Sequence, residues 1–154
     1  ALDESLETLA KVRRAANGLP HGSPTPGKKI SSKFGNRRDP FTRRLAVHGG
    51  LDFRAARGSG VYATASGVIS KAGRLGGYGK LVEINHGGGV ITRYGHHESL
   101  AVSAGDLVKK GQKIGGMGSS GRSTGPHVHY EIHKNKRSVD PSIYMHRLPR
   151  SRSG

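Results

Sequence analysis

A mainly β fold is what this chain predicts, and three observations carry that expectation. Glycine is abundant, at 25 of 154 residues, while tryptophan is absent and there are only five tyrosines and three phenylalanines. Such a composition suits short strands joined by tight turns better than packed helices. Short apolar and β-branched runs recur about every ten residues from Ile30 onward, a spacing typical of all-β domains. The run His127-Val128-His129-Tyr130-Glu131-Ile132 alternates with period two, the pattern of a half-buried strand.

Taken in order, the chain opens with a helical pattern over 2–17. Leu2, Leu6, Leu9 and Val12 fall near one face, with Asp3, Glu4 and Glu7 early and Lys11, Arg13 and Arg14 late, the order that the helix macrodipole favours. Gly18 suits the position after the last helical residue, and Pro20 bars continuation. The leucine spacing also suits the remnant of a coiled coil. Residues 18–27, rich in Pro and Gly, read as a linker, so the expected organisation is a helix at 1–17, a linker, a folded domain at 28–145 and a basic tail at 146–154.

Within the domain, strands are expected at Ile30 to Phe34, Val61 to Ala63, Val68 to Ala72, Lys80 to His86 and Val90 to Tyr94. Weaker signals follow at Leu107-Val108, Lys113 to Gly115 and His127 to Ile132. Gly87-Gly88-Gly89 should close a hairpin, because that turn needs φ > 0. Lys109-Lys110-Gly111-Gln112 reads as a second turn, and Gly115 to Gly125 as a flexible loop that feeds the histidine strand. Arg37, Arg38, Arg43 and Arg44 are expected in a loop. Gly-Pro at 125–126 marks the entry to the last strand, since proline cannot continue a ladder.

The chain lacks cysteine, which removes disulfides, thiolate metal sites and cysteine nucleophiles together. Any metal must be held by histidine and carboxylate. The formal net charge of +16 points to polyanionic partners: nucleic acid, an anionic membrane surface or an anionic cell wall. Nucleic acid is not expected, because the basic residues are not interleaved with aromatic ones. No apolar run approaches the length of a membrane-spanning helix, and Ala1 does not open a signal-peptide pattern, so an export signal is expected outside this sequence. The glycine runs at 73–77 and 115–118 lack the Lys-Ser/Thr ending of a phosphate-binding loop.

The histidines carry the chemistry. Val128, Tyr130 and Ile132 share one side of their strand, so His127, His129 and Glu131 share the other. A surface strand that happens to carry two histidines would give the same pattern. His48-Gly49-Gly50-Leu51-Asp52 adds a histidine and an aspartate on a segment that Gly49-Gly50 keeps from being a helix, a loop running into a strand. Tyr94-Gly95-His96-His97 adds two more imidazoles. His48, Asp52 and His129 could supply three ligands to Zn²⁺ and leave one position for water, flanked by His96 and His127. His21, His86, His133 and His146 are expected to play no direct part. Tyr94, placed two before His96 on the same expected face, reads as packing or groove wall.

These segments also resemble a known family. His48 to Asp52, Gly76 to Gly87, Tyr94-Gly95-His96 and Gly118 to Ile132, with Ser32 to Thr42 before them and Asp140-Pro141 after, resemble the lysostaphin or LytM-like zinc metallopeptidases, which cut peptide cross-links in bacterial peptidoglycan. The resemblance spans about residues 28–145. It implies an antiparallel β-sheet with the site in a groove, zinc bound by His48, Asp52 and His129, and His96 and His127 as catalytic histidines. His127 is expected as general base and His96 as the group that orients water or stabilises the oxyanion, with the reverse assignment open. Asn85, His97 and Lys80 depart from residues frequent in the family, and Thr42 stands near a position where the glycyl-glycine-cutting branch has tyrosine. The resemblance implies an exported endopeptidase of the periplasm or cell envelope. Peptidoglycan is its expected partner, with anionic wall polymers and proteins bound through the N-terminal helix as further ones. A non-catalytic peptidoglycan-binding or amidase-activating module on the same fold is the alternative.

Overall fold

The computed structural model describes residues 19–38, 41–43 and 45–145. The helix expected over 2–17 and the basic tail at 146–154 lie outside these residues. Twelve strands are found among the described residues: β1 (Ile30–Ser32), β2 (Gly35–Arg38), β3 (Leu45–His48), β4 (Leu51–Arg54), β5 (Gly60–Tyr62), β6 (Gly67–Arg74), β7 (Lys80–Gly87), β8 (Val90–Leu100), β9 (Leu107–Val108), β10 (Lys113–Met117), β11 (His127–Lys134) and β12 (Arg137–Val139). A 3-10 turn at Gly76–Tyr78 and a short helix, α1 (Ser142–Met145), complete the order. The fold is thus mainly β, as the composition and spacing predict.

The large sheet runs β1-β4-β11-β8-β7-β6-β9, with β10 joining β8 to β5 and β12 lying along β11. All these pairings are antiparallel. At the centre, β11 pairs with β4 on one side and β8 on the other, so His129 sits between Asp52 and Gly95 in the ladder. Pairing therefore brings together residues far apart in sequence. The hairpin from β7 to β8 turns on Gly87, Gly88 and Gly89, whose φ values of 83°, 62° and 81° are the ones glycine tolerates best.

Alternation along β11 decides its two faces. Val128, Tyr130 and Ile132 are fully buried in the core with Leu51, Phe53, Val82, Ile84 and Ile114. Each such side chain contributes about 1.5–3 kcal/mol by leaving water. A one-residue slip of β11 would exchange them for His127, His129 and Glu131, so the apolar set fixes the register that builds the site. The tyrosine hydroxyls in this core find partners in Thr64. Its N–H donates to Tyr94 at 3.1 Å, and its hydroxyl lies 2.8 Å from that of Tyr130.

Three features differ from the sequence expectation. Arg37 and Arg38, expected in a loop, belong to β2, which pairs with β3 as a small sheet that ends on His48. The strand expected to end at His86 runs on to Gly87, and His86 inside it is fully buried. Residues 19–27, read as a linker, lie against the body: Gly22 N–H donates to Thr64 O at 3.2 Å, Tyr62 N–H to Pro24 O at 2.9 Å, and Pro20, Pro24 and Thr25 are buried. Proline and glycine remove regular structure from this stretch without removing its contacts.

Candidate metal centre

Three strand ends set the centre. β3 ends on His48, Gly49 and Gly50 turn the chain, and β4 returns with Asp52; β11 supplies His129 opposite Asp52. The ligand atoms converge: His48 Nε2 lies 3.1 Å from Asp52 Oδ1 and 3.2 Å from His129 Nδ1, and His129 Nδ1 lies 2.8 Å from Asp52 Oδ1. Among the described residues these three form a group whose donor atoms all lie within 4.8 Å of one another. His48 and Asp52 are buried.

The outer hydrogen bonds decide which atoms face inward. His48 Nδ1–H donates to Lys33 O at 2.7 Å, which leaves the lone pair on Nε2. His129 Nε2–H donates to Glu131 Oε2 at 2.7 Å, which leaves the lone pair on Nδ1. Two imidazole lone pairs and one carboxylate oxygen then point at one another, an arrangement that needs a shared cation. Nitrogen and oxygen donors without thiolate suit a borderline divalent ion such as Zn²⁺, so the residues fit the metal implied by the resemblance.

Protonation shows the same demand. Burial opposes a charged His129 ring, yet hydrogen bonds and charge from Asp52 and Glu131 outweigh burial and hold its pKa up to about 9. Burial likewise works against the Asp52 carboxylate, but His129 and His48 keep it well below the usual carboxylate range.

The other two histidines are held differently. His96 Nδ1–H donates to Ser120 O at 2.7 Å, and His127 Nδ1–H to Gly125 O at 2.9 Å, so each keeps its lone pair on Nε2. Their rings lie 4.6 Å apart, and His127 Nε2 is 3.8 Å from Asp52 Oδ1. Burial, reinforced by the nearby imidazoles and only partly offset by the Ser120 carbonyl, lowers the His96 pKa to about 4. The loop 118–126 that carries both carbonyls is latched to the 3-10 turn: Arg122 N–H donates to Gly77 O at 2.9 Å and Lys80 N–H to Ser120 Oγ at 3.0 Å. Gly79 and Gly121, both at positive φ, permit this approach, since a Cβ on either would run into the backbone of the other segment.

His96 corrects one expectation. Period two would place it on the side of Tyr94, but Tyr94 points into the core while His96 lines the groove. A register shift against β7 between Val82↔Tyr94 and Lys80↔His97, with φ of 67° at His96, makes a bulge that re-aims the imidazole. His133, expected beyond the strand, lies inside β11 and donates from Nε2 to Glu131 Oε1 at 2.7 Å.

A groove of about 480 Å³ opens over these residues. Its walls include Tyr78, Phe41, Arg54 and Arg122, with the Arg122 guanidinium 4.3 Å above the Phe41 ring. Sequence reading passed over Tyr78 as a site residue: its hydroxyl donates to Glu131 Oε1 at 2.8 Å, and its ring lies 6.2 Å from that of His129. Only the glycines around it hinted at a close-packed turn there.

A His-Asp-His donor set with two further imidazoles beside it, under an open groove, has the layout of a metallopeptidase. Residues 46–141 match Peptidase family M23, and the chain belongs to that family. It is 46% identical over 113 residues to DD-carboxypeptidase/endopeptidase Mpg of Neisseria meningitidis serogroup B, across 73% of this chain and 26% of that protein. It is 40% identical over 124 residues to peptidoglycan DD-endopeptidase ShyC of Vibrio cholerae, across 77% of this chain and 29% of that one. Among solved structures, a zinc-containing peptidase from Vibrio cholerae superposes with a TM-score of 0.72 at 36% identity, over 80% of this chain and 38% of that chain. The catalytic domain of lysostaphin from Staphylococcus simulans gives 0.71 at 31% identity, over 77% and 92%. The resemblance drawn from the sequence therefore holds at the level of the family. The chain spans between a quarter and a third of the length of the two curated relatives described, at 26% and 29%.

Proposed function

We propose that this domain is a zinc-dependent endopeptidase that hydrolyses peptide bonds in the stem peptides or cross-links of peptidoglycan, with His48, Asp52 and His129 as the zinc ligands. The observation that carries the reading is the convergence of His48 Nε2, Asp52 Oδ1 and His129 Nδ1, with the other ring nitrogen of each histidine donating to an outer acceptor. When bound, zinc supplies Lewis acidity, polarising the scissile carbonyl and making water more acidic.

The chain's own residues do the rest. His127, with its Nδ1–H committed to Gly125, offers Nε2 as the base that takes the proton of the attacking water and returns it to the leaving amine. His96, which burial keeps neutral down to about pH 4, orients that water by accepting a hydrogen bond at Nε2. Apart from the histidines, the ionisable side chains lining the groove among the described residues are Asp52, Tyr78, Arg54 and Arg122, and the two guanidinium groups suit the carboxylates of an acidic wall peptide. The peptidoglycan endopeptidases among the relatives support that substrate. A wall substrate places the protein outside the cytoplasm, in the periplasm or cell envelope, and the net charge of +16 suits anionic wall polymer.

Purified muropeptides of known cross-link type, incubated with zinc-loaded and chelator-treated protein and read by mass, test the proposal. Cleavage products that appear only with metal are expected. Sacculus binding without cleavage at any pH would favour the non-catalytic wall-binding module instead.

A further inference from the structure

Glu131 shares the site face of β11 with His127 and His129, yet the reaction described above does not use it. It is buried, and both of its carboxylate oxygens are engaged. Oε2 accepts from His129 Nε2–H at 2.7 Å, while Oε1 accepts from the Tyr78 hydroxyl at 2.8 Å and from His133 Nε2–H at 2.7 Å. Tyr78 is held in turn by Arg93 Nη1–H at 3.1 Å, and Arg93 Nε–H donates to Glu83 Oε2 at 2.6 Å. Glu83 Oε1 accepts from the Ser70 hydroxyl at 2.8 Å. Glu131, Arg93 and Glu83 are direct cross-strand neighbours on β11, β8 and β7, so the chain of contacts crosses the sheet from the metal centre to β6.

We propose that Glu131 is a positioning residue that fixes His129 as an Nδ1 ligand, and that Tyr78 and His133, with Arg93 and Glu83 behind Tyr78, hold Glu131 in place. An ionised carboxylate accepts and cannot donate, so it requires the His129 proton on Nε2 and sends the lone pair at Nδ1 towards His48 and Asp52. A neutral imidazole without this partner populates both tautomers and rotates about its own bonds. Because both oxygens of Glu131 are occupied, the carboxylate itself cannot turn away. Tyr78, which also lines the groove, ties this support to the wall that a bound peptide would touch.

The inference rests on the reading of His48, Asp52 and His129 as zinc ligands, and the experiment separates the two. Zinc affinity is measured by chelator competition on wild type, Glu131→Gln and Tyr78→Phe, with fold followed by circular dichroism. The His129 tautomer is read from ¹⁵N–¹H spectra of the zinc-loaded wild type. We expect a folded Glu131→Gln that binds zinc about 10–100-fold more weakly, a smaller loss in Tyr78→Phe, and the wild-type His129 proton on Nε2. Unchanged affinity in a folded Glu131→Gln, or a wild-type proton on Nδ1, overturns the positioning role while leaving the zinc site intact. Should Glu131→Gln fail to fold, the tautomer and Tyr78→Phe decide; unchanged affinity in Tyr78→Phe overturns the bracing. A wild type that binds no zinc overturns the metal site itself, and this role with it.

Discussion

Two pairs of histidines in this protein, all buried except the partly buried His129, meet opposite fates. His48 and His129 face a carboxylate and each other, with nitrogen and oxygen atoms 2.8–3.2 Å apart. His86 and His97 are fully buried but face neutral groups: His86 lies between Ser66 O and the Thr92 hydroxyl, each at 2.7 Å, and His97 has Lys80 O at 3.2 Å on Nδ1. His97 Nε2 has no hydrogen-bond partner among the described residues. Burial pushes the pKa of His86 down and that of His97 down to about 4, whereas carboxylate neighbours hold that of His129 up to about 9. Burial alone makes a neutral core imidazole. A carboxylate brought in by strand pairing turns the same side chain into a cation site.

The largest expected effect breaks the first pair. Asp52→Ala and His48→Ala should lose zinc and activity together. Chelation should lower the melting temperature of the wild type, since a ligand at about a hundred times its Kd stabilises by about 2.7 kcal/mol. The same treatment should leave the melting temperature of Asp52→Ala unchanged. Parallel chelator sensitivity in calorimetry would place the metal elsewhere.

Next come the imidazoles beside the centre. His127→Ala and His96→Ala should retain zinc and fold while losing turnover by about 10²–10⁴-fold, the range of a positioned proton-transfer group. Metal analysis alongside kinetics checks this, and zinc loss in His127→Ala would move His127 into the ligand set.

A smaller effect concerns the second pair. The unfolded chain protonates His97 near the ordinary value of 6.5, while the folded chain resists until about 4. Stability present above pH 6.5 is therefore lost as pH falls towards 4, with a slope from this residue of up to about 1.4 kcal/mol per pH unit. His97→Leu should flatten that part of the denaturant-measured profile without changing zinc content. An unaltered profile would show that His97 does not carry the acid sensitivity.

The smallest effect lies at the surface. Sacculus binding should weaken with salt more than turnover of a short soluble peptide does, because exposed charges are screened beyond about 10 Å at about 0.1 M salt. Equal salt dependence of the two would remove the wall-polymer role from the basic surface.

The contrast between the pairs was only half legible in the sequence. Period two on β11 separates His129 from Val128 and Tyr130 without further information, and the family pattern singles out His48 and Asp52, which the structure brings together. The aim of His96 was not legible. It depends on a bulge with positive φ at a non-glycine residue, set by unequal spacing on β7 and β8. Tyr78 gains its contact with Glu131 through side-chain reach that no local pattern encodes, whereas the His133 contact follows from period two once β11 runs past Ile132. The β2-β3 hairpin was hidden because β2, Gly35-Asn36-Arg37-Arg38, carries no apolar alternation. The packing of residues 19–27 depends on Tyr62 and Thr64, some forty residues downstream in the sequence.

Elemental analysis of zinc per chain, on wild type, on the Asp52→Ala, His129→Ala double variant and on His97→Leu, tests the central contrast most directly. The expected result is close to one zinc in the wild type and in His97→Leu and none in the double variant. A wild-type value near zero that added zinc cannot raise, or zinc retained in the double variant, would contradict the account.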